Sequence, residues 1–498
     1  MATTDRAGTG PRRAGGASEE APPAPRRRRP RWPRRPGTRG RLRLLAALAL
    51  ALVAALFAAT HLALERARDG LDVIGHGEGR KVVATADLYF ALSDMDAQMA
   101  NVLLLGAEHD LGAGRDAALE RYGDRRADAN RALLHAAQLA AGDPVEEQNV
   151  WAVMDGMNTY ERLVAEARLL NDADDDPAGP PSQDVIERYR EAADLMRRDL
   201  LPKAYNLTLD SGATVRSTYE ENSAAATAGI GLVAAAAAAL VAVLVVLQLF
   251  LRRRFRRRHN IPLALATAGV LVLGLAAVAM LQRQSELLRS AKEDGLESVL
   301  ALSRARAIST GMNADQSRWL MDPEHAATYE QNFLEDAQTV VFLVPEDGDV
   351  PGNLRGYTTE VTAAVPRHDD YPGRMLGLLG EEIATGGGEA ETRAQQRTLR
   401  TFAAFLRADE RMRDIAREGD TAAAVDAHIT GPDSVEAVFA DYEEALIDLT
   451  DLHLTTFDSS VDQAEDHLAG WNAGVIAACG AFALLIAAGV RPRLAEYR

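Results

Sequence analysis

The chain has 498 residues, 47% of them hydrophobic but only 5% aromatic, and a formal net charge of −17. That length suggests about three domains. A single cysteine, Cys479, excludes any disulfide within the chain, so parts that fold outside a membrane must be held together by burial alone.

Residues 1–43 carry thirteen arginines against three acids, a net of +10, and include the run PPAPRRRRPRWPRRPG. This Pro/Arg-rich composition predicts a disordered tail that can also hold anionic lipid headgroups. Residues 44–64 are apolar and uncharged, and about 20 such residues cross a bilayer. The run exceeds the roughly 7–15 apolar residues of a cleaved signal, so it reads as an uncleaved anchor.

Residues 65–223 hold 31 acids and 17 bases, a net of −14. Just past the span, DGLDVIGHGEGR places Gly75, Gly77 and Gly79 where each costs a helix about 1 kcal/mol against alanine. The segment reads either as a hinge that transmits motion or as a flexible stalk. Leu88, Leu92, Met95, Met99, Val102 and Gly106 then repeat at the alternating spacing of a packed helical seam. Val153, Met157, Tyr160, Val164 and Ala167 do the same further on. Breaks at AAGDP, where Asp143 can cap a helix that starts with Pro144, and at NDADDDPAGPPS leave helices over about 80–111, 114–141, 144–171 and 183–223. The second break aligns Asp172, Asp174 and Asp176 with a calcium loop, but Pro177 and Gln183 stand where glycine and glutamate are needed. A solvated acidic linker is the better reading.

Residues 224–251 form a second apolar run, 252–260 a turn and 261–281 a third run. The turn holds Arg252, Arg253, Arg254, Arg256, Arg257 and Arg258, a net of +6. A nucleic-acid site needs aromatic or base-reading partners, and Phe255 alone does not supply them. Residues 282–470 carry a net of −21, residues 471–490 form a fourth span that starts at Trp471, and residues 491–498 add +2. Basic segments thus alternate with acidic ones, which by the positive-inside rule places both ends and the arginine turn in the cytosol.

The plan is a duplication. A shift of 217 residues sets Leu44 on Ile261, and matches Met95 to Met312, Ala97 to Ala314 and Leu103 to Leu320. The second unit ends on a seam through Val435, Val438, Tyr442, Ala445, Leu449, Leu452 and Thr456, while VPEDGDVPGNLRGY and ATGGGE mark a loop insertion. The expected fold is an all-α integral membrane protein with four transmembrane helices and two extracytoplasmic helical bundles in tandem span–bundle–span repeats.

Beside the first seam runs a polar stripe of Asp87, Asp94, Gln98 and Asn101, which the shift carries onto Arg304, Gly311, Asp315 and Arg318, with Trp319 adjacent. Arg304, Asp315, Arg318 and Trp319 suit a small zwitterion. The competing reading is a solvated face carrying an Asp–Arg pair three residues apart. The second unit is the one expected to meet a ligand or partner, because Ser309 and Gln316 replace Leu92 and Met99 in its seam.

The chain has no GxxxxGK[ST], HExxH, CxxC or GxSxG, and its ten histidines lack the paired spacing of a helical metal site. No cofactor or metal site is expected. The inner segments are too short for a catalytic domain, so the protein is not expected to be an enzyme. Ala225 with Gly229, and Gly474 with Ala478, have small-xxx-small spacing that suits close helix packing or a homo-oligomer.

Acidic helical units between paired spans resemble the four-helix sensor domains of chemotaxis receptors, here without an inner signalling helix. Span–bundle–span twice over, with Arg-rich inner segments and the end RPRLAEYR, is similar to a family of actinobacterial four-span membrane proteins. The resemblance implies a relay from a glutamine-binding-type lipoprotein to a cytosolic Ser/Thr kinase, protein kinase G. It transfers no ligand residues. Two function classes follow: a sensor-transducer, or an assembly factor of the cell envelope whose units only dock partners.

Overall fold

A computed structural model of the chain describes residues 38–106, 112–141, 143–174, 177–255, 260–344, 351–366, 373–384 and 386–495. The expected seams set its architecture. Leu88, Leu92, Met95, Met99 and Val102 are all buried, as are Val153, Met157, Tyr160, Val164 and Ala167. They lie on α2 (Glu78–Leu105) and α4 (Pro144–Asp174), which with α3 (Gly112–Leu139) and α5 (Gln183–Leu195) build the first unit. Asp143 does cap α4: its Oδ1 accepts from the backbone N–H of Val145 at 2.8 Å. The disordered-tail expectation falls on residues largely outside those described, and α1 (Thr38–Gly75) begins six residues ahead of the expected span.

From α5 the chain passes through one π-helical turn, Met196–Leu200, into α6 (Leu201–Phe255), 55 residues long. Arg252 and Arg253 are exposed at its end; the side chain of Arg254, and Arg256, Arg257 and Arg258, lie outside the described residues. α7 (Ile261–Ser290) climbs back and passes through a second π segment, Ala291–Glu297, into α8 (Ser298–Met321). α9 (Ala326–Val340) and the insertion follow. The insertion holds α10 (Leu354–Ala364), α11 (Gly377–Ala384) and a two-residue antiparallel ribbon, β1 (Phe342–Leu343) on β2 (Met375–Leu376). α12 (Glu389–Arg417), α13 (Thr421–Ile429), α14 (Val435–Leu468) and α15 (Trp471–Ala495) complete the chain.

Among the described residues, four helical stretches are long and apolar enough to cross a membrane. α1 packs on α6, α6 on α7, α7 on α15 and α15 on α1, closing a ring. Its core is apolar, with Leu56, Leu240, Val270 and Ile486 fully buried. Small residues set the spacing: a Cβ on Gly229 would lie 3.3 Å from the Ala63 Cβ, and one on Gly274 only 2.8 Å from that of Ala237. In the second small-xxx-small pair Gly474 touches nothing, while Ala478 is half-buried against the core of the ring.

Above the ring the structure departs from two independent bundles. α2 packs along α8, and the apolar residues of both units merge into one cluster that joins Leu92, Met95 and Met99 to Leu302, Met312, Phe333, Phe402 and Tyr442. α2 is therefore enclosed on nearly every side. The seam of α14 also drifts. Leu452 is exposed while His453 and Phe457 are buried, because a 3.5-residue repeat slips against a helix of 3.6 residues per turn.

Candidate functional site

Two places gather functional chemistry. The first is a cavity of about 620 Å³ just above the ring, between the two units. Tyr89 comes to it from α2, Tyr205 and Arg216 from α6, Lys292 and Glu297 from the π segment after α7, and Arg304 from α8. Most of the remaining wall is aliphatic, including Leu209, Val215, Leu296 and Leu300. Interfaces between structural units are where small-molecule sites tend to form, and π segments recur at functional sites.

The polar groups of this cavity are unevenly committed. Lys292 Nζ sits 3.0 Å from Glu297 and 4.8 Å above the Tyr219 ring. Arg304 lies over the face of Tyr205 at 4.6 Å and makes no ion pair or hydrogen bond among the described residues. Tyr205 is in turn 5.7 Å from Tyr89, ring to ring. Burial pushes the Tyr89 hydroxyl up to about 12, against the pull of Arg304, so it stays a neutral donor. The wall is closely fitted. A Cβ on Gly295 would come within 2.9 Å of the Phe457 Cα, so glycine lets the π segment touch α14 directly.

The second place is a buried ionic seam between α2 and α8. Arg318 bonds Asp96 of α2 and, at 2.6 Å, Asp315 of its own helix. Tyr160 and Tyr189 each donate to Asp96 at 3.1 Å. Arg197 closes the cluster by bonding Asp315 at 2.9 Å and Asp336 at 3.3 Å. Burial raises Asp336 to about 7 in spite of Arg197, with Asp315 and Glu335 adding to the rise and Arg318 opposing it. Further along, Asn101 and Asn313 both donate to Glu436, and Ser317 joins Asn101 to His428. Burial lowers His428 to about 4, so it is neutral at physiological pH.

The expected site residues therefore divide. Arg304 lines the cavity. Asp315 and Arg318 form the foreseen pair, but fully buried rather than solvated. Trp319 stacks on Arg413 at 4.8 Å, away from Arg304. Asp94 is buried against Arg125 at 2.6 Å and against Gln98 at 2.8 Å. Asp87 stays exposed, and Gly311 faces Ser93 across the α2–α8 contact. Sequence reasoning missed Asp96, Tyr89 and Tyr205, whose partners lie far away in the chain, and Lys292, which pairs with Glu297 five residues on.

The glycine break is real: α1 stops at Gly75 and α2 starts at Glu78. A Cβ on Gly79 would fall 1.9 Å from the Ile74 carbonyl oxygen, and one on Gly75 2.8 Å from Val461. Gly77 caps α2 with φ −89° and ψ −107°. Alanine cannot straighten this segment without moving backbone.

No curated protein and no solved structure matches the chain. Residues 70–220, which run from the end of α1 through the first unit into upper α6 and contribute Tyr89, Tyr205 and Arg216 to the cavity, match the family described as an actinobacterial sensor domain.

Proposed function

We propose that the protein is a non-enzymatic membrane sensor-transducer whose cavity between the two units receives a small anion or zwitterion with an apolar body, such as an amino acid. The carrying observation is Arg304, a cation with no ionic partner among the described residues, set in a mostly apolar cavity beside two tyrosines. Such a guanidinium recognises a carboxylate by paired, charge-assisted hydrogen bonds. Lys292 and Glu297 supply opposite charges on the facing wall. The match of residues 70–220 to a sensor domain supports the sensing half of this reading.

The transducing half rests on connectivity. α6 carries Tyr205 and Arg216 and runs unbroken to Arg253; the π segment with Lys292 and Glu297 runs straight into α7. A ligand that draws these walls together shifts two spans against each other. By charge alternation the units face outward and the arginine turn faces the cytosol. There a partner, by resemblance a Ser/Thr kinase, reads the shift, and a solute-binding lipoprotein delivers the ligand outside.

The test uses the full chain in lipid nanodiscs and a panel of amino acids, read by calorimetry. One of them binds, and Arg304→Gln weakens it at least tenfold, the cost of about 1.4 kcal/mol expected from losing one charge-assisted contact. Equal binding by wild type and variant, or binding by neither while proteins dock on the outer surface, overturns the reading in favour of an assembly role.

A further inference from the structure

α14, α11 and the start of α12 converge on a small polar pocket beside the π segment. His453, of which 4% of the side chain is exposed, points its Nε2 at the Glu382 carboxylate, 2.8 Å away, with Glu391 3.9 Å away. All three ligand atoms lie within 4.8 Å of one another. The other ring nitrogen is committed: Nδ1 lies 2.7 Å from the backbone carbonyl oxygen of Asp294. A carbonyl only accepts, so Nδ1 carries a proton, and in the neutral imidazole Nε2 presents a lone pair. That buried Nε2 has no aligned hydrogen bond. A lone pair facing a carboxylate at such a distance requires a positive centre between them.

The surroundings hold the carboxylates in place. Gln395 donates to Glu391 Oε1 at 3.4 Å and to the Glu382 backbone carbonyl at 3.2 Å. The Glu391 carboxylate also accepts from the Gly388 backbone N–H. A Cβ on Gly387 would sit 2.2 Å from that carboxylate, so glycine there makes the room it occupies.

We propose that Glu382, Glu391 and His453 form a binding site for a divalent transition cation of the zinc class. One imidazole and two carboxylates are ordinary zinc ligands, and three protein ligands leave a further position open. A ligating histidine that donates its second N–H to a backbone carbonyl is the usual supporting contact. The Asp294 carbonyl plays that part here, and it belongs to the π segment whose Lys292 and Glu297 line the cavity. A bound cation therefore ties α11, α12 and α14 to the wall of the ligand cavity. The competing positive centre is a proton. Burial works against a charged His453, but Glu382, the Asp294 carbonyl and Glu391 together hold it above the usual histidine value. Protons and metal compete for Nε2, so metal affinity rises with pH.

The test takes the full chain, stripped with chelator, and measures zinc by equilibrium dialysis at pH 6 and pH 8. One equivalent binds at pH 8 and binding weakens at pH 6. Both His453→Gln and the half-exposed Glu391→Gln weaken it at least tenfold, with helical content unchanged by circular dichroism. Arg304→Gln leaves zinc affinity unchanged, which separates this site from the proposed amino-acid site. Zinc uptake that is absent in the wild type, or equal in wild type and both variants, overturns the proposal and leaves a proton-bridged His–Glu pair.

Discussion

The two seams that hold the repeats together are made of opposite materials. In the ring, α1, α6, α7 and α15 meet through aliphatic side chains and glycines, without a charge in the core. Above it, α2 and α8 meet through Arg318, Asp96, Asp315, Asn101 and Ser317. Lipid offers apolar helices no hydrophobic reason to associate, so close fit must serve there. In water, apolar seams associate readily but in many registers. Buried charges permit few, since each misplaced one costs several kcal/mol. The ionic seam thus specifies which helix lies beside which.

Four experiments break or sharpen that contrast, each read by denaturant unfolding of the full chain in mild detergent. Arg318→Met leaves Asp96 in the core without a cationic partner and Asp315 with Arg197 alone, and is expected to cost about 3–5 kcal/mol. Restoring much of that loss with Asp96→Asn in the same chain would confirm that the penalty is uncompensated charge. On the apolar seam, Gly274→Leu drives side chain into Ala237 and is expected to cost about 2–3 kcal/mol, with no dependence on salt or pH.

The third uses pH. Asp336, raised to about 7 in the fold, holds a proton that an unfolded aspartate gives up near 4. Its neutral form is therefore free of penalty below about pH 4, and stability falls as pH climbs towards 7. Asp336→Asn should remove the decline and stabilise the protein by about 2 kcal/mol at pH 8, with little effect at pH 4. An unchanged pH profile would show that Arg197 keeps Asp336 ionised. The smallest effect belongs to Ser93→Ala, which deletes a neutral bond to the Ala307 carbonyl across the same seam at 2.8 Å and should cost about 1 kcal/mol.

The ring and the unit helices were legible because apolar runs and seam spacing are local signals. So was the start of α4, where Asp143 and Pro144 are neighbours. The α2–α8 seam was not. Asp94, Gln98 and Asn101 look like a solvated stripe until Arg125, Glu436 and Ser317 are brought to them, and nothing in local spacing announces those partners. His453 was hidden by periodicity itself: carrying the α14 seam on to Leu452 placed the histidine on the wrong face. Of the carboxylates beside it, Glu382 comes from the insertion and Glu391 from the start of α12. Arg304 was singled out with companions from its own helix, whereas its neighbours in the fold are the tyrosines of α2 and α6.

The two π segments give the spans a stored register. Each such turn accommodates a residue that a regular α-helix would place on a different face. Met196–Leu200 precedes α6 and Ala291–Glu297 follows α7. Tightening one of them to α-helical pitch advances everything beyond it by up to one residue, a turn of roughly 100° about the helix axis with a slide of about 1.5 Å along it. The segment between α7 and α8 is bounded on one side by the Asp294 carbonyl on His453 and on the other by Lys292 and Glu297 at the cavity. It is therefore a screw thread with two hands on it. On the transducing role proposed above, tightening this segment would turn α7 about its own axis rather than drive it as a piston.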